Sequence, residues 1–451
     1  MLGVRISVIG TGYLGATHAA ALAGWGHEVV GVDVDPARVG RLAQGLAPFH
    51  EPGFDDLLAD GVRAGRLTFS TDLSAAADAD VHFLCVGTPQ LPDGHGADLT
   101  ALWQAVDGLA THLRRGALVV GKSTVPVGTA ALVQERLDAL VPPGHAVEVA
   151  WNPEFLREAH AVEDSLHPDR LVLGVASDAA EATLHEVYEP VLRDGTPAVR
   201  TDLQTAELAK ASANVMLASR ISLVNMLAEV CEAADADIER LTEILGLDAR
   251  IGPRYLSPGI GFGGGCLPKD LRAFASRAAE LGVGSASELL GAVDAVNTHQ
   301  RQRAVDLTAT LLGGHPRGRR VAVLGAAFKA DSDDVRDSPA LAVASAVAQL
   351  GACVRVFDPR AGRHLRDRTD LETSDSVESA CASADLTLVL TEWPQFGELD
   401  PIALGRVVER REVIDGRLVL DPARWTRAGW QVHALGRGDA APGATARRKA
   451  G

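Results

Sequence analysis

The chain has 451 residues, 47 % apolar and 23 % charged, the balance of a globular protein large enough for about three folding units. Its 43 Lys and Arg against 59 Asp and Glu give a net charge of −16. That argues against a nucleic-acid partner, since such binding needs a basic surface to displace counterions.

The opening residues, MLGVRISVIGTG, read as a strand entering a glycine turn rather than as a secretion signal. No apolar run is long enough to span a bilayer, so no membrane partner is expected. The five cysteines (Cys85, Cys231, Cys266, Cys353 and Cys381) are odd in number and form no CxxC pair. This predicts a cytoplasmic protein with free thiols, no disulfide framework and no metal site.

In chain order, RISVIG, EVVGVD, VHFLCVG, ALVVGKS and LVLGV are short Val- and Ile-rich runs of the kind buried in a parallel sheet. Ala- and Leu-rich helical stretches separate them, as in residues 17–23, and the alternation predicts βαβ units. Residues 205–234 lack Gly and Pro and repeat apolar positions at helical spacing, which predicts one long helix. Its apolar character almost all round predicts burial by a partner, such as a second subunit. A second α/β pattern follows in RRVAVLGAAF, CVRVFDP and ADLTLVLTEW. The expected fold is therefore α/β, with two Rossmann-like doubly wound domains joined by a long central helix. The expected divisions are 1–203 (dinucleotide-binding), 204–305 (central and helical), 315–435 (second Rossmann-like domain) and 436–451 (a low-complexity, disordered tail).

Gly10-Thr11-Gly12-Tyr13-Leu14-Gly15 forms a GxGxxG between strand and helix, and EVVGVD places Asp33 18 residues after Gly15. Gly10 permits the tight turn, Gly12 lets the backbone approach a pyrophosphate, and Gly15 allows close helix packing. Asp33 can accept both ribose hydroxyls and would repel a 2′-phosphate, so the expected cofactor is NAD rather than NADP.

Gly263-Gly264-Gly265-Cys266-Leu267-Pro268-Lys269-Asp270 places a cysteine in a glycine run, with Lys269 near enough to favour a thiolate and Asp270 as a base. Cys266 is the expected nucleophile. The other four cysteines read as buried filler. Lys210 and Asn214 share one helical face. The stretches 122–129 and 152–158 carry hydroxyls and carboxylates, and Thr124 lies at a strand's carboxyl end, where doubly wound sheets bind ligands. Lys329 and Arg336 are charges suited to a diphosphate, or else to a solvated loop.

GTGYLG, PFHEPG, FLCVGTP, KSTVPVGT, NPEFLREAHAVED, RIGPRYLSPGIGFGGGCLPKD and GAAFKADSDDVRDSPA, together with Lys210 and Asn214, run in one order over residues 1 to 435. This set resembles the UDP-glucose/GDP-mannose dehydrogenase family. The resemblance implies an NAD-dependent four-electron oxidation at C6 of a nucleotide sugar, through a thiohemiacetal and a thioester on Cys266. It gives Lys210 and Asn214 the oxyanion, Asp270 the hydrolytic water, and Thr124 and Glu158 proton movement. It assigns the cofactor to Gly10, Gly12, Tyr13, Leu14, Gly15, Asp33, Arg38, Thr88, Thr124, Glu158 and Arg336. To the substrate it assigns Glu154, Phe155, Leu156, Arg157, Glu158, Lys210, Asn214, Tyr255, Leu256, Ser257, Pro258, Gly259, Gly263 and Lys329, with Arg250 reaching in from a neighbouring subunit. FLREAHAVEDSLHPDRLVLG and GFGGGC are more similar to the UDP-glucose branch than to the GDP-mannose or UDP-N-acetylmannosamine branches. A homodimer serving UDP-glucuronate and polysaccharide biosynthesis is implied. A catalytically idle nucleotide-sugar-binding protein is the contrasting reading, and intact Cys266, Lys210 and Asp270 argue against it. Gly265, Ala326-Ala327 and Ser332 depart from the family pattern without removing a charged or nucleophilic group.

Overall fold

The Val- and Ile-rich runs become strands of two sheets. In a computed structural model describing residues 3–92 and 94–437, the first sheet contains β1 (Arg5–Ile9), β2 (Glu28–Val32), β3 (Leu67–Ser70), β4 (Val81–Leu84), β5 (Leu118–Gly121), β6 (Glu148–Trp151), β7 (Leu171–Gly174) and β8 (Ala198–Thr201). Their order is β3-β2-β1-β4-β5-β6-β7-β8. All neighbours pair parallel except β6 and β7, which meet antiparallel at Trp151 and Gly174. The second sheet contains β9 (Arg320–Leu324), β10 (Cys353–Phe357), β11 (Glu372–Thr373), β12 (Leu386–Val389), β13 (Glu412–Asp415) and β14 (Gln431–Ala434), in the parallel order β11-β10-β9-β12-β13-β14. Both sheets share the 3-2-1-4-5-6 order of a doubly wound fold, whose ligand crevice opens where the order reverses, beyond the carboxyl ends of the first and fourth strands.

The chain divides into two compact units: residues up to Ala213 with Ala273–Gly282, and Asn214–Arg272 with the chain from Val283 onward. Residues of the central segment 204–305 thus belong partly to each. Two layers of apolar side chains cover the first sheet, one around Leu22, Phe54 and Leu58 and the other around Leu102, Val133 and Trp151. The second sheet packs around Val323, Val343, Leu388, Phe396 and Trp425.

The long helix spans Leu203–Ala234. It is the one described helix long and apolar enough to cross a bilayer, yet it buries Glu207, Lys210, Asn214, Ser222 and Asn225. Ser222 Oγ donates to Val293 O at 2.8 Å, and Asn225 Oδ1 accepts from Gly259 N at 2.8 Å. These are bonds of a protein interior, and hydrocarbon would not reward such side chains. Met216, Leu223 and Val230 remain more than half exposed.

Two sequence-based expectations need correction. Cys353 opens β10 and is exposed rather than buried filler, while Cys85, Cys231 and Cys381 are buried. Gly436 and Arg437, assigned above to a disordered tail, are held in place: Gly436 N donates to Glu232 Oε1 at 2.5 Å, and Arg437 pairs with Glu239 and bridges Asp237. The rest of that tail lies outside the described residues. Residues 152–157, which carry Glu154, form no helix.

Candidate active site

In the first unit, β1 ends in the glycine turn and the helix Tyr13–Gly24 follows. Gly10 has φ +90°, and a Cβ on Gly15 would lie 1.8 Å from Gly10 O, so only glycine fits there. A Cβ on Gly12 would meet nothing within 4 Å, leaving the turn open where a pyrophosphate would approach. Asp33, at the end of β2, closes the turn from below. Its Oδ2 accepts from Thr11 N at 2.7 Å, its Oδ1 accepts from Asp35 N at 3.0 Å, and Arg38 Nη1 reaches both oxygens at 2.9 and 3.0 Å. Burial alone would raise the Asp33 pKa. The two backbone N–H groups and the Arg38 guanidinium outweigh it and hold the carboxyl below its usual range. The turn, the helix N-terminus and this carboxylate fit NAD.

Tyr13 donates its hydroxyl to Glu51 and accepts from Ala159 N at 3.0 Å. Glu51 is buried, and its Oε1 accepts from Ala161 N at 2.7 Å. The cofactor turn is thereby tied to the loop carrying residues 154–158. Within that loop Glu154 Oε1 pairs with Lys210 Nζ at 2.9 Å, both side chains being largely buried, and Glu154 Oε2 accepts from Leu156 N at 2.5 Å. The Arg170 guanidinium lies 3.8 Å from the Phe155 ring centroid, and Arg157 pairs with Asp164 at 2.5 Å. Thr88 Oγ1 donates to Thr124 O at 2.7 Å, which joins the loops leaving β4 and β5. Leu14 is half-buried, and Glu158 forms the turn next to Ala159.

In the second unit, Cys266 precedes the helix Leu267–Glu280 and is exposed. Asp270 N donates to Cys266 O at 2.9 Å. The Asp270 carboxylate accepts from Asn214 Nδ2 at 2.6 Å and pairs with Lys269 Nζ at 2.5 Å. Lys269, expected from the sequence to favour the thiolate, pairs its ammonium with Asp270, its neighbour in the chain. A Cβ on Gly263 would lie 2.2 Å from Asp337 O, so a side chain there would push apart the loop that flanks the cysteine. A Cβ on Gly265 would lie 2.4 Å from Arg336 Cζ, which places the Arg336 guanidinium against the residue before Cys266. Arg336 also pairs with Asp334 at 2.6 Å. Lys329 Nζ lies 5.7 Å from the Phe328 ring centroid.

Tyr255 adopts φ +61° and is partly exposed; Leu256, Pro258 and Gly259 are buried, and Ser257 is exposed. Arg220 donates to the carbonyls of Ile251 and Gly252 at 2.8 and 2.9 Å, fixing the chain beside Arg250. Arg250 itself is exposed and pairs with Asp248 at 2.6 Å. In the second sheet Asp358 corresponds in position to Asp33. Its oxygens accept from four backbone N–H groups, of Ala326, Ala327, Arg360 and Ala361, and from Trp393 Nε1. That carboxylate is consumed inside the fold, unlike Asp33 beside its open turn.

Comparison with known proteins agrees with this arrangement. Three models of the UDP-glucose/GDP-mannose dehydrogenase family match in order: the NAD binding domain over residues 4–192, the central domain over 204–299 and the UDP binding domain over 322–422. The UDP-glucose 6-dehydrogenase TuaD of Bacillus subtilis (strain 168) is 37 % identical over 438 residues, 96 % of this chain and 93 % of that protein. Two solved structures superpose with TM-scores of 0.86. One is a UDP-glucose dehydrogenase from Pyrobaculum islandicum, 36 % identical over 95 % of this chain and 98 % of that one. The other is a UDP-D-ManNAc dehydrogenase from Pyrococcus horikoshii, 27 % identical over 97 % and 100 %. With an open glycine turn above Asp33, a cysteine loop beside a held aspartate, and all three domains matched, the chain belongs to the UDP-glucose/GDP-mannose dehydrogenase family.

Proposed function

We propose that this chain oxidises the C6 hydroxymethyl group of UDP-glucose to the carboxylate of UDP-glucuronate, with the cofactor held by residues 10–15, Asp33 and Arg38. The observation that carries the four-electron reading is the Cys266 loop with Asp270 gripped by Asn214 and Lys269. A nucleophilic thiol is idle in a two-electron alcohol oxidation and required in an aldehyde oxidation that passes through a thioester.

In the first half the C6 alcohol loses a proton and a hydride to give the aldehyde. Thr124 and Glu158 serve the proton. In the second half the Cys266 thiolate adds to the aldehyde carbon. The resulting oxyanion is stabilised by Lys210 and Asn214, as fixed donors stabilise tetrahedral species generally. NAD, when bound, supplies the two-electron acceptor in each half. Loss of the second hydride leaves a thioester. Water oriented by Asp270 attacks it, releasing the carboxylate and the free thiol. Glu154–Glu158, Tyr255–Gly259, Gly263 and Lys329 hold the sugar nucleotide, and Arg250 serves the site of a second subunit. We propose a cytoplasmic homodimer formed through the exposed stripe of the long helix, with the NAD site in 1–203, the dimer and cysteine segment in 204–305 and the UDP site in 315–435.

The deciding experiment is the NADH yield with UDP-glucose limiting and NAD in excess. Two NADH per sugar, with UDP-glucuronate as product, is the expected result. One NADH per sugar would remove Cys266 from the chemistry. No NADH from UDP-glucose, with turnover of UDP-N-acetylmannosamine or GDP-mannose, would reassign the sugar.

A further inference from the structure

The reaction described above leaves one buried charge beside the site without a task. Lys122 follows the last residue of β5, and its side chain is buried. Its Nζ donates to Asn152 Oδ1 at 2.8 Å and to the Tyr188 hydroxyl at 3.3 Å, and the Asn152 carbonyl lies at 3.5 Å. The ring centroids of Phe83 and Tyr188 stand 5.9 and 5.7 Å away. Tyr188 in turn donates to Asn152 Oδ1 at 2.5 Å, and Asn152 Nδ2 donates to Val172 O at 2.9 Å. Every group that touches the ammonium is neutral. A buried cation of this kind is expensive, and an apolar side chain of similar size would serve packing better. The charge therefore calls for a use.

The neighbouring chain supplies one. Asn152 lies two residues before Glu154, whose carboxylate is paired with Lys210. Lys122 itself lies two residues before Thr124. We propose that Lys122 is a positioning residue, whose ammonium fixes Asn152 at the root of the 154–158 loop and whose charge biases the Glu154–Lys210 pair. This rests on the oxidation proposed above, in which Lys210 meets the oxyanion.

Protonation of Lys122 can be followed directly. Burial draws its pKa down to about 8; the Glu154 carboxylate opposes the shift, and Lys210 adds to it. The other titratable groups around it stay neutral near that pH. Burial holds His18, on the helix Tyr13–Gly24, well below 6.5, raises the Cys85 thiol to about 12 and raises Tyr188 above 10. When Lys122 loses its proton, the field on Glu154 and Lys210 weakens, and turnover falls along an alkaline limb centred near 8.

The test pairs Lys122→Met with Tyr188→Phe in the full-length enzyme. Lys122→Met is expected to lower kcat by about tenfold to a hundredfold, the scale of a small misplacement at a reacting centre, and to abolish the alkaline limb. Tyr188→Phe keeps the ring but removes an acceptor from the ammonium, so its limb moves to lower pH. A lysine that only supports the fold would lower the melting temperature in both variants and leave the limb where it was, which overturns the proposal. If Lys122→Met does not fold, the limb of Tyr188→Phe decides. A thermal-unfolding double-mutant cycle of Lys122→Met with Glu154→Gln needs no turnover: non-additivity supports the coupling, and additivity overturns it. Wild-type enzyme inactive on UDP-glucose would defeat the substrate reading, while the cycle would still judge Lys122.

Discussion

Asn214 and Asp270 come from different helices, and Nδ2 of the first lies 2.6 Å from Oδ2 of the second. Lys269 holds the remaining oxygen, so the carboxylate is oriented from two sides. Asp270→Asn keeps the size and removes the charge. If Asp270 directs water at the thioester, kcat falls by about 10²–10⁴-fold, the range of a lost general acid or base. Both NADH should then form rapidly once per site before turnover stalls, with the uronyl group left on Cys266. Rapid mixing and intact mass measurement read both effects. Wild-type turnover with no adduct would remove Asp270 from the hydrolytic step.

Asp33 organises the cofactor turn and also carries Arg38. Replacing it by Ser removes the acceptor for Thr11 N and Asp35 N and frees the guanidinium. Hydrogen bonds to a charged group are worth about 1.5–3 kcal/mol, or roughly tenfold to a hundredfold in binding. KM for NAD should rise by that factor. Selectivity against NADP should fall further, because Arg38 then faces a 2′-phosphate without competition. Steady-state kinetics with both cofactors checks this; an unchanged NAD to NADP ratio would contradict it.

Tyr13→Phe tests the tie between the cofactor turn and the 154–158 loop. The change removes a donor to buried Glu51 and the acceptor of Ala159 N. Leaving such groups unpaired costs about 1–3 kcal/mol. The expected outcome is a lower melting temperature together with weaker binding of both NAD and sugar nucleotide. Calorimetry on each ligand separates this from a purely local effect, which would weaken NAD alone.

These examples mark what the sequence discloses. Strands such as RVAVL and VHFL were legible because burial on both faces makes them mostly apolar. LTFS, EVAW and AVRT were not, because polar residues interrupt each run; AVRT is largely exposed. The glycine turn and Asp33 were legible because one βαβ unit holds them at a fixed spacing. Glu51 and Lys122 lie in PFHEPG and KSTVPVGT, but those motifs did not disclose their partners. Glu51 meets Ala161 110 residues later, and Lys122 meets Asn152 and Tyr188 at separations of 30 and 66 residues.

Met216, Leu223 and Val230 recur every seven residues along the long helix and leave an apolar stripe exposed. Such a stripe suits a helix–helix seam with a second copy. Leu223→Glu places a charge at its centre. Light scattering is expected to give twice the chain mass for wild type and the chain mass for the variant. A variant that keeps the wild-type mass would move the interface elsewhere.

Acid should reveal the buried histidines. His82 Nδ1 pairs with Ser7 Oγ at 2.8 Å, and burial lowers its pKa from 6.5 to about 4. Between those values the unfolded chain binds a proton that the folded chain excludes. Stability therefore rises with pH across that window and is lost as pH falls through it, by at most about 1.4 kcal/mol per pH unit for each such group. His18, fully enclosed on the helix Tyr13–Gly24, acts in the same sense. His82→Asn keeps a hydrogen-bonding group for Ser7 and removes the titration. Urea unfolding between pH 6.5 and 4 should then show a slope smaller by up to one proton than in wild type. An unchanged slope would place the acid sensitivity on other groups, with His18 the first to substitute.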